Sequence, residues 1–183
     1  PVFTNSYGAV ATNVAILHPN IFYFVLDASW SADNKYDFWN KNYTDATVNN
    51  YEVKKTIYSP SPTGYAEPKT AAFIGFTTTR NNSGTASEFN VSGGFNKGWN
   101  FYCQPKFQGN TIFFSALGFR DVYSGRVNTS NAGAVASGSG DYWSAGPSGA
   151  SSYARLLGFH SGYVGPQYMD YRAYGFSVRP VSE

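Results

Sequence analysis

Between Gly140 and Pro180 two kinds of position alternate along the chain. One kind is small or apolar and suits a tightly packed scaffold: Trp143, Ser144, Ala145, Pro147, Leu156, Phe159, Val164, Pro166, Phe176 and Val178. The other is large and polar: Asp141, Tyr142, Tyr153, Arg155, His160, Tyr163, Tyr168, Asp170, Tyr171 and Tyr174. Tyrosine offers a wide contact area for few rotatable bonds, and Ser and Gly beside it let the backbone adapt. The pattern predicts a ligand-binding surface carried by these ten residues, with Asp121 and Tyr123 just upstream as further members. The rest of the chain is expected to hold that surface in place.

The upstream pattern predicts mostly strands. Ile21-Phe-Tyr-Phe-Val-Leu26 is an aromatic and β-branched run after Pro19-Asn20, the signature of a buried strand. Residues 27–50 read as a long polar and aromatic connection, pinned to the body by Trp30 and Trp39. Glu52-Val-Lys-Lys-Thr-Ile-Tyr58 reads as a strand running into the turn Ser59-Pro-Ser-Pro-Thr-Gly64. Glu67-Pro68 opens the best helix candidate, Lys69 to Ile74, with Gly75 placed to stop it. Gly98–Cys103 and Thr111–Ser115 form a strand pair around a Gly109-Asn110 turn. One helix against many short strands predicts an α+β domain dominated by antiparallel strands. The closing Gly-Phe-Ser-Val-Arg-Pro element is expected to be a buried terminal strand, with the terminal strands near each other and Trp143, Phe159, Phe176 and Val178 inside.

Composition sharpens this picture. The chain has 183 residues, about one domain, and is long enough to bury a core. Aromatics reach 19% and charged residues only 13%, a balance opposite to that of disordered chains. The net charge of +2 comes without a basic run, so nucleic acid is not an expected partner. No apolar run is long enough to span a membrane as a helix, so direct insertion is not expected either. The first residues, Pro1-Val-Phe-Thr-Asn, lack a Met and a charged leader, as expected of a fragment or a processed chain.

Candidate chemistry is sparse. Cys103 is the only cysteine and is expected to be a buried apolar filler. Asp27, Asp33 and Asp37 lack the glycine and closing glutamate of a calcium loop and read as solvated loop carboxylates. His18 and His160 are the only histidines, and neither has an acid and nucleophile at a defensible spacing. No catalytic residue, metal site or cofactor is expected, and the chain reads as a non-enzyme.

Four stretches resemble one known family. Lys55-Thr-Ile-Tyr-Ser-Pro-Ser-Pro-Thr-Gly-Tyr65 is similar to its K-T-x-Y-D-P-C-P-x-G element, and Phe114-Ser-Ala-Leu-Gly-Phe-Arg120 to its F-P-A-x-G-x-R element. Gly140-Asp-Tyr-Trp-Ser-Ala145 and Arg172-Ala-Tyr-Gly-Phe-Ser-Val-Arg-Pro-Val181 are similar to its closing elements. The family is the Fibrobacter succinogenes major paralogous domain, common in gut Bacteroidetes and their phages, and the resemblance covers roughly residues 18–183. It implies a single C-type lectin-like domain over 1–183, of the formylglycine-generating-enzyme subtype. The acid and the cysteine of the first element are replaced here by Ser59 and Ser61, which removes any thiol role there. The subtype's oxidase chemistry uses two cysteines, and this chain has one.

Members of the family are often the variable proteins of diversity-generating retroelements, in which template adenines are randomised. The resemblance makes 118–181 the candidate variable region. Randomised AAC or AAT codons reach Asn, Asp, Tyr, His, Ser, Gly, Arg and Ala but not Lys, Glu, Gln, Met or Trp. After Lys106 the chain has no lysine, and its only glutamate is the terminal Glu183. Met169 is unreachable from such codons and belongs to the scaffold or to a different codon. The implied function is a receptor-binding protein with a diversified surface, acting outside the cell on a virion or bacterial surface. Its expected partner is a protein or glycan receptor. The alternative is a pilus or cell-surface adhesin subunit without diversification. Calcium-dependent sugar binding is not expected, since no Glu-Pro-Asn or Gln-Pro-Asp tripeptide occurs, although tyrosine stacking on a sugar remains compatible with the pattern.

Overall fold

Short strands form where aromatic and β-branched residues alternate between turn-forming stretches, and most pair antiparallel. The computed structural model describes residues 4–25, 29–33, 35–103, 109–129 and 138–183. In chain order the elements are β1 (Thr4–Tyr7), α1 (Thr12–Leu17), β2 (Ile21–Phe24), β3 (Tyr65–Ala66), β4 (Val91–Ser92), β5 (Gly98–Tyr102), β6 (Thr111–Ser115), β7 (Phe119–Arg120), β8 (Val127–Asn128), β9 (Gly140–Pro147), β10 (Tyr153–His160), β11 (Tyr163–Tyr171) and β12 (Val181–Ser182). They assemble into two three-stranded antiparallel sheets, β4-β5-β6 and β11-β10-β9, and three two-stranded ones. Among the named strands of the described residues, β1 and β2 alone pair in parallel. Among the described residues helix is confined to the six residues of α1 and two short 3-10 turns. Among the described residues no helix is long and apolar enough to cross a membrane.

The core lies between the two three-stranded sheets. Phe73, Phe76, Phe89, Trp99, Phe101, Phe114, Tyr142, Leu157, Phe159 and Val164 form one buried cluster. Phe76 stacks on Phe101 at 4.2 Å, and Phe101 meets the edge of Phe159 at 5.4 Å, which joins the sheets through aromatic contacts. The Trp99 indole donates to the His160 carbonyl at 3.1 Å, so the turn between β10 and β11 is anchored to β5. Gly140 is required where the ring of Phe159 crosses it: a Cβ there would lie 2.1 Å from Phe159 Cζ.

The expected β5–β6 pair forms, with Gly98 opposite Ser115 and Tyr102 opposite Thr111. Other expectations are corrected. Strand β2 spans Ile21–Phe24, and Leu26 lies outside the described residues. The strand expected over Glu52–Tyr58 is absent apart from a single bridge between Lys55 and Asn40. Side chains take up its backbone groups instead: Asn40 accepts from Lys54 N–H and Asn42 donates to the Glu52 carbonyl, while the segment's own Thr56 hydroxyl donates to the Phe38 carbonyl. Such local bonds compete directly with a strand ladder.

The helix expected over Lys69–Ile74 is a series of turns ending in a 3-10 turn at Ile74–Phe76. Phe73 and Phe76, three residues apart, both enter the core, and a three-residue period serves that spacing. The helix that does form, α1, was not signalled by its pattern; Asp33 accepts from both the backbone and the hydroxyl of Thr12 and ties its start to the long connection. Asp37 is exposed, and Asp27 lies outside the described residues.

The closing element is extended but is not a continuous strand. It makes bridges at Gly175 to Arg120 and at Ser177 to Tyr142, and the paired residues are Val181 and Ser182 on β3. Phe176 and Val178 are consequently half-buried, while Trp143 and Phe159 are buried. The terminal strands β1 and β12 belong to different sheets. Cys103 is exposed rather than a core filler, since it follows the end of β5 where the chain leaves the sheet.

Ser59 and Ser61 have a structural task. Glu67 is 0% exposed, and its Oε1 accepts from both serine hydroxyls, at 2.7 and 2.8 Å, and from Ser61 N–H. A buried carboxyl needs such donors, and these two serines supply them.

Candidate functional site

The site starts from strand register. In the β11-β10-β9 sheet, Leu157 faces Tyr142 across one pair, and Phe159 faces Gly140 and Val164. Those side chains form the core-facing side. One residue along, Gly158 lies between Asp141 on β9 and Gly165 on β11. Alternation along a strand sends this second set to the opposite face. Gly158 adds no side chain to that face, and a cavity of about 450 Å³ opens over it.

Its walls come from five separate segments. Asp141 stands on β9, His160 at the end of β10, Tyr163, Tyr168 and Asp170 on β11, and Tyr174 just beyond, with Phe119 of β7 and Phe176 closing the side. A Cβ built on Gly158 would touch Asp141 Oδ1 and Tyr168 Cδ1, both at 3.5 Å, so the carboxylate and the ring meet over the bare backbone. The Tyr163 ring lies down over Gly165, within 2.8 Å of where a Cβ would be. His160 stacks on Tyr163 at 5.8 Å, and Tyr163 meets the edge of Tyr168 at 6.0 Å. The His160 Nδ1 accepts from Gly162 N–H at 3.0 Å, which assigns the ring proton of a neutral imidazole to Nε2.

Electrostatics follow from enclosure. Burial pushes the Asp141 carboxyl up to about 7; the Ser139 hydroxyl, donating to Oδ2 at 2.7 Å, opposes the rise, and the charge of Asp170 adds to it. Asp170 is also raised by burial, against the bond its Oδ1 accepts from Tyr171 N–H. Burial raises the Tyr163 and Tyr168 hydroxyls and lowers His160, which favours the neutral form of each at pH 7. The cavity therefore offers carboxyl oxygens and aromatic faces. Among the described residues no group of three His, Cys, Asp or Glu is placed to hold a metal ion.

Six of the twelve expected surface residues converge here: Asp141, His160, Tyr163, Tyr168, Asp170 and Tyr174. Tyr153 and Tyr171 pair with each other at the far end of the β10–β11 ladder, rings 4.5 Å apart. Arg155 is half-buried, donating to the Gln167 carbonyl at 2.7 Å, and its Nε is buried without a partner. Asp121 organises the β7–β8 turn by accepting from Tyr123 N–H and Ser124 N–H, and Tyr123 stands 52% exposed at that turn. Tyr142 requires a correction. It is 5% exposed, on the core side of β9, with its hydroxyl donating to the Ser115 carbonyl at 2.7 Å, and is no part of an accessible surface.

A second cavity, also about 450 Å³, was not foreseen from the sequence. Trp30, Tyr36, Phe38 and Trp39 of the long connection face Trp143, Tyr153 and Arg172 across it. Trp30 stacks on Phe38 at 5.5 Å, and the Arg172 guanidinium lies over Tyr36 at 5.5 Å and Phe38 at 6.0 Å. The density of aromatics between residues 30 and 39 was the available signal, read there only as anchoring. Tyr174 and Phe176 line both cavities.

No protein-family model matches this chain, and neither the curated proteins nor the solved structures contain a match to it.

Proposed function

We propose that the chain is a ligand-binding module, presenting a diversified recognition face on a virion or bacterial surface rather than catalysing a reaction. The observation that carries this reading is the meeting of Asp141, His160, Tyr163, Tyr168, Asp170 and Tyr174, from four segments, around one open cavity. Their sequence neighbours Tyr142, Leu157, Phe159 and Val164 are committed to the core, so cavity-face side chains such as Tyr168 and Asp170 can vary while the scaffold stays packed. Tyr168 is 41% exposed and Asp170 half-buried, positions at which substitution is tolerated. All six residues are of types (Asp, His and Tyr) reachable from randomised AAC or AAT codons.

A C-type lectin-like fold and membership of the resembled family are part of the same proposal. They are supported by the four sequence elements and by the predominance of short antiparallel strands with little helix. The partner is a protein or glycan receptor on a cell surface.

The test has a genetic and a binding arm. The genetic arm asks whether the source locus encodes a reverse transcriptase and a near-copy of the last third of the gene. In the binding arm, purified protein is titrated onto intact gut Bacteroidetes cells, and the Tyr163→Ala/Tyr168→Ala/Tyr174→Ala variant is compared by flow cytometry. A folded triple variant that has lost cell binding supports the reading. A folded triple variant that binds as the parent does overturns it.

A further inference from the structure

We infer that the cavity over Gly158 receives a cationic side chain, the ammonium of a lysine or the guanidinium of an arginine, from the partner protein. This rests on the reading of that face as a binding surface and specifies what it binds. Three observations carry it.

The first is uncompensated charge. Asp141 and Asp170 both face the cavity, and among the described residues no lysine or arginine lines it. Arginines on the surrounding elements are engaged elsewhere. Arg120 of β7 donates to Asn5 and the Gly125 carbonyl and lies over Phe22. Arg155 of β10 donates to Gln167 O. Arg179 lies over Phe114 and donates to Phe113 O. The other titratable groups on the walls are His160, Tyr163, Tyr168 and Tyr174, and none of them supplies positive charge in its neutral form. An enclosed carboxylate without a counter-charge is costly, and an incoming cation removes that cost.

The second is direction. Asp141 Oδ2 is occupied by the Ser139 hydroxyl, whereas Oδ1 looks over Gly158, and among the described residues no donor is bonded to it. It is an acceptor aimed into open space. The third is the wall chemistry. Tyrosine and phenylalanine faces carry negative electrostatic potential and attract ammonium and guanidinium groups, and Tyr163, Tyr168, Tyr174, Phe119 and Phe176 stand around the acids. A neutral sugar would leave the carboxylates without a counter-charge, and an anion would be repelled.

Binding of this kind is linked to protons. A cation favours ionised Asp141, so the carboxyl that holds its proton to about pH 7 releases it on binding. Affinity for the cation therefore rises with pH through that range.

The experiment titrates the whole chain with the blocked tripeptide Gly-Arg-Gly and with its Gly-citrulline-Gly counterpart, which has the same shape and no charge. Calorimetry and tyrosine chemical shifts report binding at pH 6 and pH 8. The arginine peptide is expected to bind about tenfold or more tighter than the citrulline peptide, and tighter at pH 8 than at pH 6, with proton release seen across buffers of different ionisation enthalpy. Asp141→Asn and Asp170→Asn are expected to reduce arginine binding by about tenfold each while keeping a cooperative melt. Gly158→Ala, whose added methyl meets only ordinary contacts at 3.5 Å and beyond, fills the cavity floor without unfolding and gives a second route to the same loss. Equal binding of the two peptides, undiminished binding in both Asn variants, or no binding of the arginine peptide overturns the inference. Tighter binding of free butylguanidinium than of the arginine peptide overturns the assignment to a protein side chain. Loss of cell binding in the tyrosine variant, together with no preference for arginine, overturns the cation while leaving the recognition face intact.

Discussion

Tyr174 stacks on Phe176 with ring centroids 5.0 Å apart and planes 10° from parallel, and the pair is a wall common to both cavities. Phe119 meets the edges of both rings, at 5.5 and 5.9 Å, so the three form one aromatic unit that couples β7 to the closing element. Tyr174→Ala removes the middle of that unit and is expected to destabilise the fold by about 1–3 kcal/mol. Tyr174→Phe keeps the stack and should change stability by less than about 1 kcal/mol. Chemical denaturation of the two variants checks this; equal losses would assign the effect to the hydroxyl instead of the ring.

The pH dependence of stability follows from Asp141. Its folded-state value, raised to about 7 chiefly by burial, exceeds the ordinary aspartate value of 3.8 that applies in the unfolded chain. The folded state thus binds a proton more tightly, and the stability this confers is complete below pH 4 and lost as pH rises through 7. Asp141→Asn should remove its share of that decline and leave the part that the raised Asp170 contributes, making the variant more stable than the parent at pH 8 by about 2–4 kcal/mol and similar to it at pH 4. Urea titrations at pH 4, 6 and 8 measure it, and an unchanged slope in the variant would place the proton on another group.

Two glycines on neighbouring strands should respond in opposite ways to the same added methyl. At Gly140 it would collide with the Phe159 ring at 2.1 to 2.7 Å, and the ring is locked in the core by Phe101 and Tyr142. Gly140→Ala is expected to cost about 2–4 kcal/mol or to prevent folding. At Gly158 the nearest atoms are 3.5 Å away, and Gly158→Ala should shift stability by about 0.5 kcal/mol or less. Thermal melts of the pair give the answer directly.

Tyr142 separates the scaffold from the recognition face. Its ring packs against Phe114 at 5.0 Å and parallel to Phe159 at 6.3 Å. Tyr142→Phe leaves the Ser115 carbonyl without its donor and should cost about 1 kcal/mol, while Tyr142→Ala should cost about 3–5 kcal/mol. Neither effect would be confined to ligand binding. A Tyr142→Ala protein with parental stability would return this residue to the surface.

The alternation of scaffold and polar residues between Gly140 and Tyr174 was legible in the sequence, as was the β5–β6 pair, because a strand's period of two is written directly in residue order. Clustering of the polar set was legible only as a tendency. Tyr142 and Asp141 are adjacent and both polar enough for a surface, and which of them faces the core depends on the pairing of Asp141 with Gly158 and Tyr142 with Leu157. A shift of one residue would exchange their faces. Likewise Glu52–Tyr58 has strand-forming residues but no partner strand, since the side chains of Asn40 and Asn42 bond its backbone first. The aromatic residues from Trp30 to Trp39 announced their burial in composition, yet the cavity they enclose is made by Trp143, Tyr153 and Arg172, more than a hundred residues away. Local composition determined which residues adhere and which pack. Long-range register decided which of them meet, because a ladder's pairing is set by the whole set of contacts and not by any one strand.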